Sequence, residues 1–316
     1  MLLRDLLVDR IAPLKNLCDR SVDLYGQSLD RLRDYLGHEP TLDDLDDLTI
    51  AKFLRWRAGH QNRGKRQISP ASVAKDSAQL RTIWNWCARK RLRRSNGDLL
   101  EFPDYSRPRV PKPRPTAYTA DELQRLVDVA RLRRGSISGR PARWYWPTKL
   151  SAMFQTGERI GAILAIRWGE VDLDRCTLTF LAATRKGHRE TITRAISPDL
   201  ARMMAPQKRA ADELVWPWLE CRKLGSVYSS LRVLCKTAGV EYHPFHSIRK
   251  ATASYMKAAG RSAKKQLGHS SEEMAEMHYY DERIVGAESA LDVLPQLRVM
   301  QALPPADEPG GPGKPR

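Results

Sequence analysis

Residues 102–116 read FPDYSRPRVPKPRPT, and the prolines at 103, 108, 111, 113 and 115 decide how the chain is divided. Proline has no N–H to donate and a fixed backbone angle, so this stretch supports neither a helix interior nor a strand ladder. An extended linker is expected here. It carries Arg107, Arg109, Lys112 and Arg114, cations suited to a run along a phosphate backbone. On its N-terminal side Ser69 and Pro70 stand as helix cap and first turn, followed by Val73, Leu80, Ile83, Trp84 and Cys87 at helical spacing. Leu17 to Leu36 and Leu48 to Ala58 also read as amphipathic helices, separated by the acidic EPTLDDLDDL, so residues 1–101 form an all-α domain. Its last helix ends in Arg89, Lys90, Arg91, Arg93 and Arg94, which complement the helix dipole or reach phosphates.

Beyond the linker, Thr119 and Glu122 form a capping box that opens the helix ADELQRLVDVARLRR. A second helix is expected from Thr148 to Gly157. CTLTFLA and ETITRAIS then alternate as two strands of a hairpin around ATRKGHR. Helices resume at Ser197–Pro198, from Ser226 to Ala238 before Gly239, and from His246 to Ala259 before Gly260. Residues 117–303 therefore read as helices with a small sheet inserted. The last thirteen residues, 304–316, PPADEPGGPGKPR, are too rich in proline and glycine to pack and are expected to be disordered.

The length of 316 residues suits two domains, and Lys plus Arg total 54 against 37 Asp plus Glu, a formal charge of +17. That excess points to a polyanion as partner. No apolar run approaches the length of a membrane span, and MLLRDLLVDR is broken by charges, so a cytoplasmic protein without a signal peptide is expected. The five cysteines are widely spaced without any C-x-x-C pair and read as reduced core thiols. Neither a phosphate-binding G-x-x-x-x-G-K-[ST] loop nor H-E-x-x-H is present, and His243, His246 and Cys235 match no common zinc spacing. Neither a cofactor nor a metal is indicated.

What remains is an ordered polar set. TGERIGAILAIRWGEVDL places Arg159 after a glycine turn, at the start of a short apolar helix. Lys186 lies in the hairpin loop, HSIRK sets His246 and Arg249 three apart on one helix face, and QLGHSSEEMAEMHYYDE adds His269, Tyr279 and Tyr280. In-line transfer at a phosphodiester needs these groups: arginines for the nonbridging oxygens, Lys or His to protonate the leaving oxygen, Tyr to attack. A tyrosine hydroxyl, with an ordinary pKa near 10, is a weak nucleophile at neutral pH, and a cationic nest activates it.

By these motifs the sequence resembles the tyrosine recombinase (phage integrase) family of the two-domain type, from about residue 15 to about residue 295. SPASVAKDSAQLRTIWNWCARKRLRR resembles that family's helical, SAM-like core-binding domain. The second half resembles its α+β catalytic domain with a small antiparallel sheet. The resemblance implies a site-specific DNA recombinase that works through a 3′-phosphotyrosyl intermediate without metal or cofactor. Its catalytic residues would be Arg159, Lys186, His246, Arg249, His269 and Tyr279, with Tyr280 as competitor for the nucleophile. It further implies double-stranded DNA as partner, a homo-tetramer on two DNA sites, an accessory directionality or DNA-bending protein, and a nucleoid location. The first helix near the N-terminus is expected to leave no room for an arm-binding domain. Ala162 departs from the family, since many members carry an acid three residues after the first arginine. A type IB topoisomerase-like enzyme, or a catalytically inactive site-specific binder, would share much of this pattern.

Overall fold

The computed structural model describes residues 1–61, 66–111, 114–185, 190–220, 222–267 and 278–286. They divide into two compact units, Met1–Pro113 and Arg114–Arg316, so the division falls inside the proline-rich stretch. No helix among the described residues is long and apolar enough to cross a membrane.

The first unit is all helical. Leu3–Leu6, a π-turn at Leu7–Ile11 and Ala12–Leu14 make a continuous opening segment, α1, that buries Leu3, Leu6, Leu7 and Ile11. Its charges fall on the opposite face, which is why a run broken by Arg4, Asp5, Asp9 and Arg10 still packs. Helices α2 (Asp19–Leu36), α3 (Asp47–Gly59) and α4 (Pro70–Arg89) follow. The three are tied by buried Asp76 of α4, which accepts from Ser28 and Arg31 of α2 at 2.8 and 2.7 Å and from Arg57 of α3 at 3.1 Å. The linker is less free than its prolines imply. Arg81 holds the carbonyls of Pro103 and Tyr105, Trp84 holds that of Glu101, and Tyr105 is buried. Of the basic cluster after α4, Arg93 and Arg94 donate to the carbonyls of Gly97 and Leu45 and serve the fold.

The second unit opens with α5 (Ala120–Arg131), whose Thr119–Glu122 capping box is formed, and a two-stranded hairpin, β1 (Ser136–Ile137) with β2 (Arg140–Pro141). Helix α6 begins at Ala142 and runs to Thr156, six residues ahead of the expected start at Thr148. The expected start falls just after Pro147, but Trp144, Tyr145 and Trp146 are buried, and their packing holds the preceding turn despite the missing N–H. After α7 (Ile160–Ala165) comes a three-stranded antiparallel sheet in the order β3 (Val171–Asp172), β4 (Thr177–Phe180), β5 (Ile192–Ala195). The expected hairpin is β4–β5, with Phe180 opposite Ile192. Strands β1, β2 and β3 have two residues each, too few for alternation to show in sequence. Helices α8 (Pro198–Met204), α9 (Leu224–Ala238), α10 (His246–Ala258), α11 (Ala263–Leu267) and α12 (Glu282–Val285) complete the described part. The tail from residue 304 lies outside the described residues. Cys87 and Cys235 are buried, but Cys18 is exposed at the start of α2, so it is not a core thiol as expected. Cys221 lies outside the described residues.

The core of this unit contains a charge-bearing side chain. Lys149 of α6 is fully buried, and its Nζ has no hydrogen-bond partner. It lies 3.6 Å from the Trp146 ring centroid, with Tyr145, Trp218 and Phe245 at 4.7, 5.2 and 5.3 Å. The ring faces favour a cation, but they replace only part of its lost hydration, and burial holds the amine well below its ordinary value. The unfolded chain therefore binds a proton here that the folded one releases, and stability rises with pH towards the unfolded amine's value near 10.4. Lys149→Met, which keeps the volume without the amine, is expected to raise stability at pH 7 by about 1 kcal/mol and to flatten that rise. Urea melts at pH 7 and 9 measure both.

Candidate active site

Helix α6 ends at Gly157, where φ is +67° and an added Cβ would lie 2.5 Å from Leu267 Cδ2. Both the angle and the space demand glycine. The turn delivers Glu158 to the interior and sets Arg159 in extended conformation immediately before α7. Facing this turn is α10, in which His246 is the first residue and Arg249 lies one turn on. Arg249 is 1 % exposed; its Nη1 donates to Gly157 O at 2.7 Å and its Nη2 to Leu267 O at 2.5 Å. These carbonyls end α6 and α11, where unpaired oxygens and the negative end of each helix dipole favour a cation. One guanidinium thus fastens two helix ends to a third helix.

Tyr279 is buried against this hub. Its ring stands edge-on to His246, centroids 5.1 Å apart, with Arg249 Cζ 5.8 Å from its centre and hydrogen-bonded to its side chain. Ser254 of α10 donates to Tyr279 O at 3.1 Å and accepts from Asp281 N at 2.9 Å. The Asp281 carboxylate accepts from Ala117 N at 2.7 Å and from Arg283 at 2.9 Å, and Arg283 also donates to Ala117 O. Burial alone would raise that carboxyl, but Arg283 and the Ala117 N–H hold it below its ordinary range. Tyr280 points elsewhere, with Lys257 Nζ 5.5 Å from its ring centre.

Of the six residues expected to carry chemistry, Arg159, His246, Arg249 and Tyr279 are brought together. Lys186 and His269 lie outside the described residues. Loss of solvent around the ring pushes His246 down to about 4, and the charges of Arg249, Lys250 and Arg159 act in the same direction. The ring is therefore neutral at neutral pH. Burial and Arg159 also lower Arg249, while Tyr279 and Glu158 support its charge. Sequence reading missed Glu158, Arg185, Ser254 and Asp281 as parts of this arrangement. An acid beside a glycine turn and a serine within a helix carry no signal until the chain is folded. No group of three or more His, Cys, Asp or Glu able to hold a metal ion occurs among the described residues.

Residues 117–284 match the sequence model of the phage integrase family. A protein of Pseudomonas aeruginosa named for the tyrosine recombinase XerC is 25% identical over 269 residues, 78% of this chain and 61% of that one. The tyrosine recombinase XerC of Xanthomonas campestris pv. campestris is 24% identical over 261 residues, covering 79% and 75%. The chain thus spans about three fifths of the first of these relatives. Among solved structures, the XerH site-specific recombinase bound to palindromic difH substrate superposes with a TM-score of 0.64 at 16% identity, over 85% of this chain and 79% of that one. A lambda integrase tetramer bound to a Holliday junction gives 0.62 at 19%, over 90% and 78%. At these identities the likeness establishes the fold.

The depressed His246 titration has a thermodynamic consequence. Between pH 6.5 and about 4 the unfolded chain binds a proton that the folded chain does not, so stability is lost as pH falls through that window. His246→Gln is expected to shrink the difference between urea midpoints at pH 7 and 4.5, and an equal difference in both proteins would contradict the assignment.

Proposed function

The chain belongs to the phage integrase family, and from that premise we propose that it is a site-specific DNA recombinase that cuts and rejoins strands through a 3′-phosphotyrosyl intermediate. The observation that carries this reading is the proximity of Tyr279 to both His246 and the Arg249 guanidinium. In the forward step Tyr279 Oη attacks phosphorus, its proton is lost, a P–O bond to tyrosine forms, and the bond to the 5′-oxygen breaks. Attack by a 5′-hydroxyl reverses it, so the bond energy is conserved in the tyrosyl ester. Arg159 neutralises nonbridging oxygens. Arg249 presents a planar guanidinium, the donor geometry that suits a phosphate, already fixed in place by its bonds to Gly157 O and Leu267 O. Neutral His246 either accepts the nucleophile's proton or donates a hydrogen bond to an equatorial oxygen. Lys186 is the group proposed to protonate the leaving oxygen, and His269 a further phosphate donor. Between the tyrosines, the contacts of Tyr279 with Arg249 and His246 favour it over Tyr280.

The charge of +17 suits double-stranded DNA. The lambda integrase tetramer on a Holliday junction supports four protomers on two sites as the working assembly. Such an enzyme would act at the nucleoid, with an accessory DNA-bending or directionality protein as a further partner. Residues 1–101 would be the core-binding domain and residues 117–303 the catalytic one. Neither the topoisomerase reading nor the inactive binder gains a specific observation.

The test is covalent capture in EDTA on nicked duplexes taken from the DNA flanking the protein's own gene. Wild type and Tyr280→Phe are expected to give an SDS-resistant protein–DNA adduct. Tyr279→Phe is expected to lower adduct formation by more than about a thousandfold. Adduct formation by Tyr279→Phe, lost instead in Tyr280→Phe, would transfer the nucleophile; specific binding without adduct in any form would turn the reading to an inactive binder.

A further inference from the structure

The cationic side of the site faces a problem of its own making. Arg159, Arg249, Arg185 and Arg194 converge on one region, and like charges removed from water repel strongly. Two carboxylates in this unit are buried among the described residues, Glu158 and Asp281, and Asp281 is engaged with Arg283 and Ala117. Glu158 is the other. It is 1 % exposed and occupies the position immediately before Arg159. Its Oε1 lies 3.4 Å from Nη2 of Arg185, which is 8 % exposed. The Arg185 Nη1 donates to Glu190 O at 3.1 Å, so one side chain joins the two arms of the hairpin to the Glu158 turn. The Glu158 charge also supports the protonated guanidinium of Arg194 on β5 and of Arg249 on α10. The backbone of the same turn is bound on three sides. Thr156 Oγ1 accepts from Glu158 N, Gln266 donates to Thr156 O at 3.1 Å, and Arg194 donates to Gln266 O at 2.6 Å.

We propose that Glu158 is a positioning residue for strand cleavage: from behind Arg159, its buried carboxylate ion-paired to Arg185 is the counter-charge that keeps Arg159 and Arg249 aimed at one phosphate. The inference rests on the recombinase reading above, and its test separates the two. Glu158 is buried and paired to Arg185 rather than presented at the surface, so its loss is expected to act on rate rather than on binding. Without it the arginines repel, and the Arg159 turn moves away from Arg249. DNA affinity, set by many phosphate contacts across the protein, stays nearly constant.

The experiment measures single-turnover adduct formation and duplex affinity side by side for wild type, Glu158→Gln, Glu158→Asp, Arg185→Gln and the Glu158→Gln/Arg185→Gln double variant. Glu158→Gln is expected to slow adduct formation by about tenfold or more with affinity changed by less than about threefold. Glu158→Asp recovers much of the rate, because the charge is restored. The double variant is no slower than Glu158→Gln alone, since both substitutions remove one pair. A Glu158→Gln protein that cleaves within about twofold of wild type, or loses affinity in step with rate, overturns the proposal. Should Glu158→Gln fail to unfold cooperatively in urea, Arg185→Gln replaces it, and a wild-type rate there overturns the proposal equally. Absence of adduct from wild type itself would take down the recombinase reading and this inference together, whereas wild-type cleavage with an indifferent Glu158 takes down the inference alone.

Discussion

The second unit is organised around a cation in its interior. Arg249 is buried with its guanidinium on the last carbonyls of two helices, Gly157 O and Leu267 O. A desolvated charge is costly unless its donors are met by fixed dipoles, and helix C-termini supply such dipoles without any mobile counter-ion. The geometry follows from that requirement. For both carbonyls to reach one guanidinium, α6 and α11 must end within a few ångströms of each other. Gly157 must also turn with a positive φ where Leu267 leaves no room for a side chain. Arg159, held two residues beyond Gly157, and Tyr279, set beside the guanidinium, are placed by the same constraint.

What sequence reading recovered was the part governed by local rules. The Gly157 turn before Arg159, the one-turn spacing of His246 and Arg249, the capping box at Thr119 and the β4–β5 hairpin each have a short-range cause, and each stands where expected. The failures have longer-range causes. Helix α6 crosses Pro147 because three aromatic side chains are buried before it, which no propensity records. Tyr279, the expected one of the adjacent pair, is the one turned inward, although no period in this irregular segment says so. The choice is made by Ser254 holding the Tyr279 carbonyl. Nothing local marks Glu158 as buried; its pairing with Arg185 exists only in the folded chain.

Both units bury charge in ion pairs, and the second also buries one without a carboxylate beside it. In the first, Asp76 gathers Arg31 and Arg57 with Ser28 into a network in which opposite charges meet at hydrogen-bond distance. In the second, Lys149 lies fully buried among four aromatic rings. A chain with so many cations places some of them inside, and aromatic faces accept them where carboxylates are absent.

The Asp281 clamp bears on how the molecule comes into being. Its hydrogen bonds to Ala117, with that of Glu282 to Arg114, close loops of 164 to 168 residues. Contacts so distant in sequence form late, because the entropy of closing the loop must be met before they reward it. The tyrosine segment therefore docks only after the helices between have assembled. During synthesis Arg159, His246 and Arg249 emerge before Tyr279 is seated, so a nascent or truncated chain carries the cationic side of this cluster without its tyrosine.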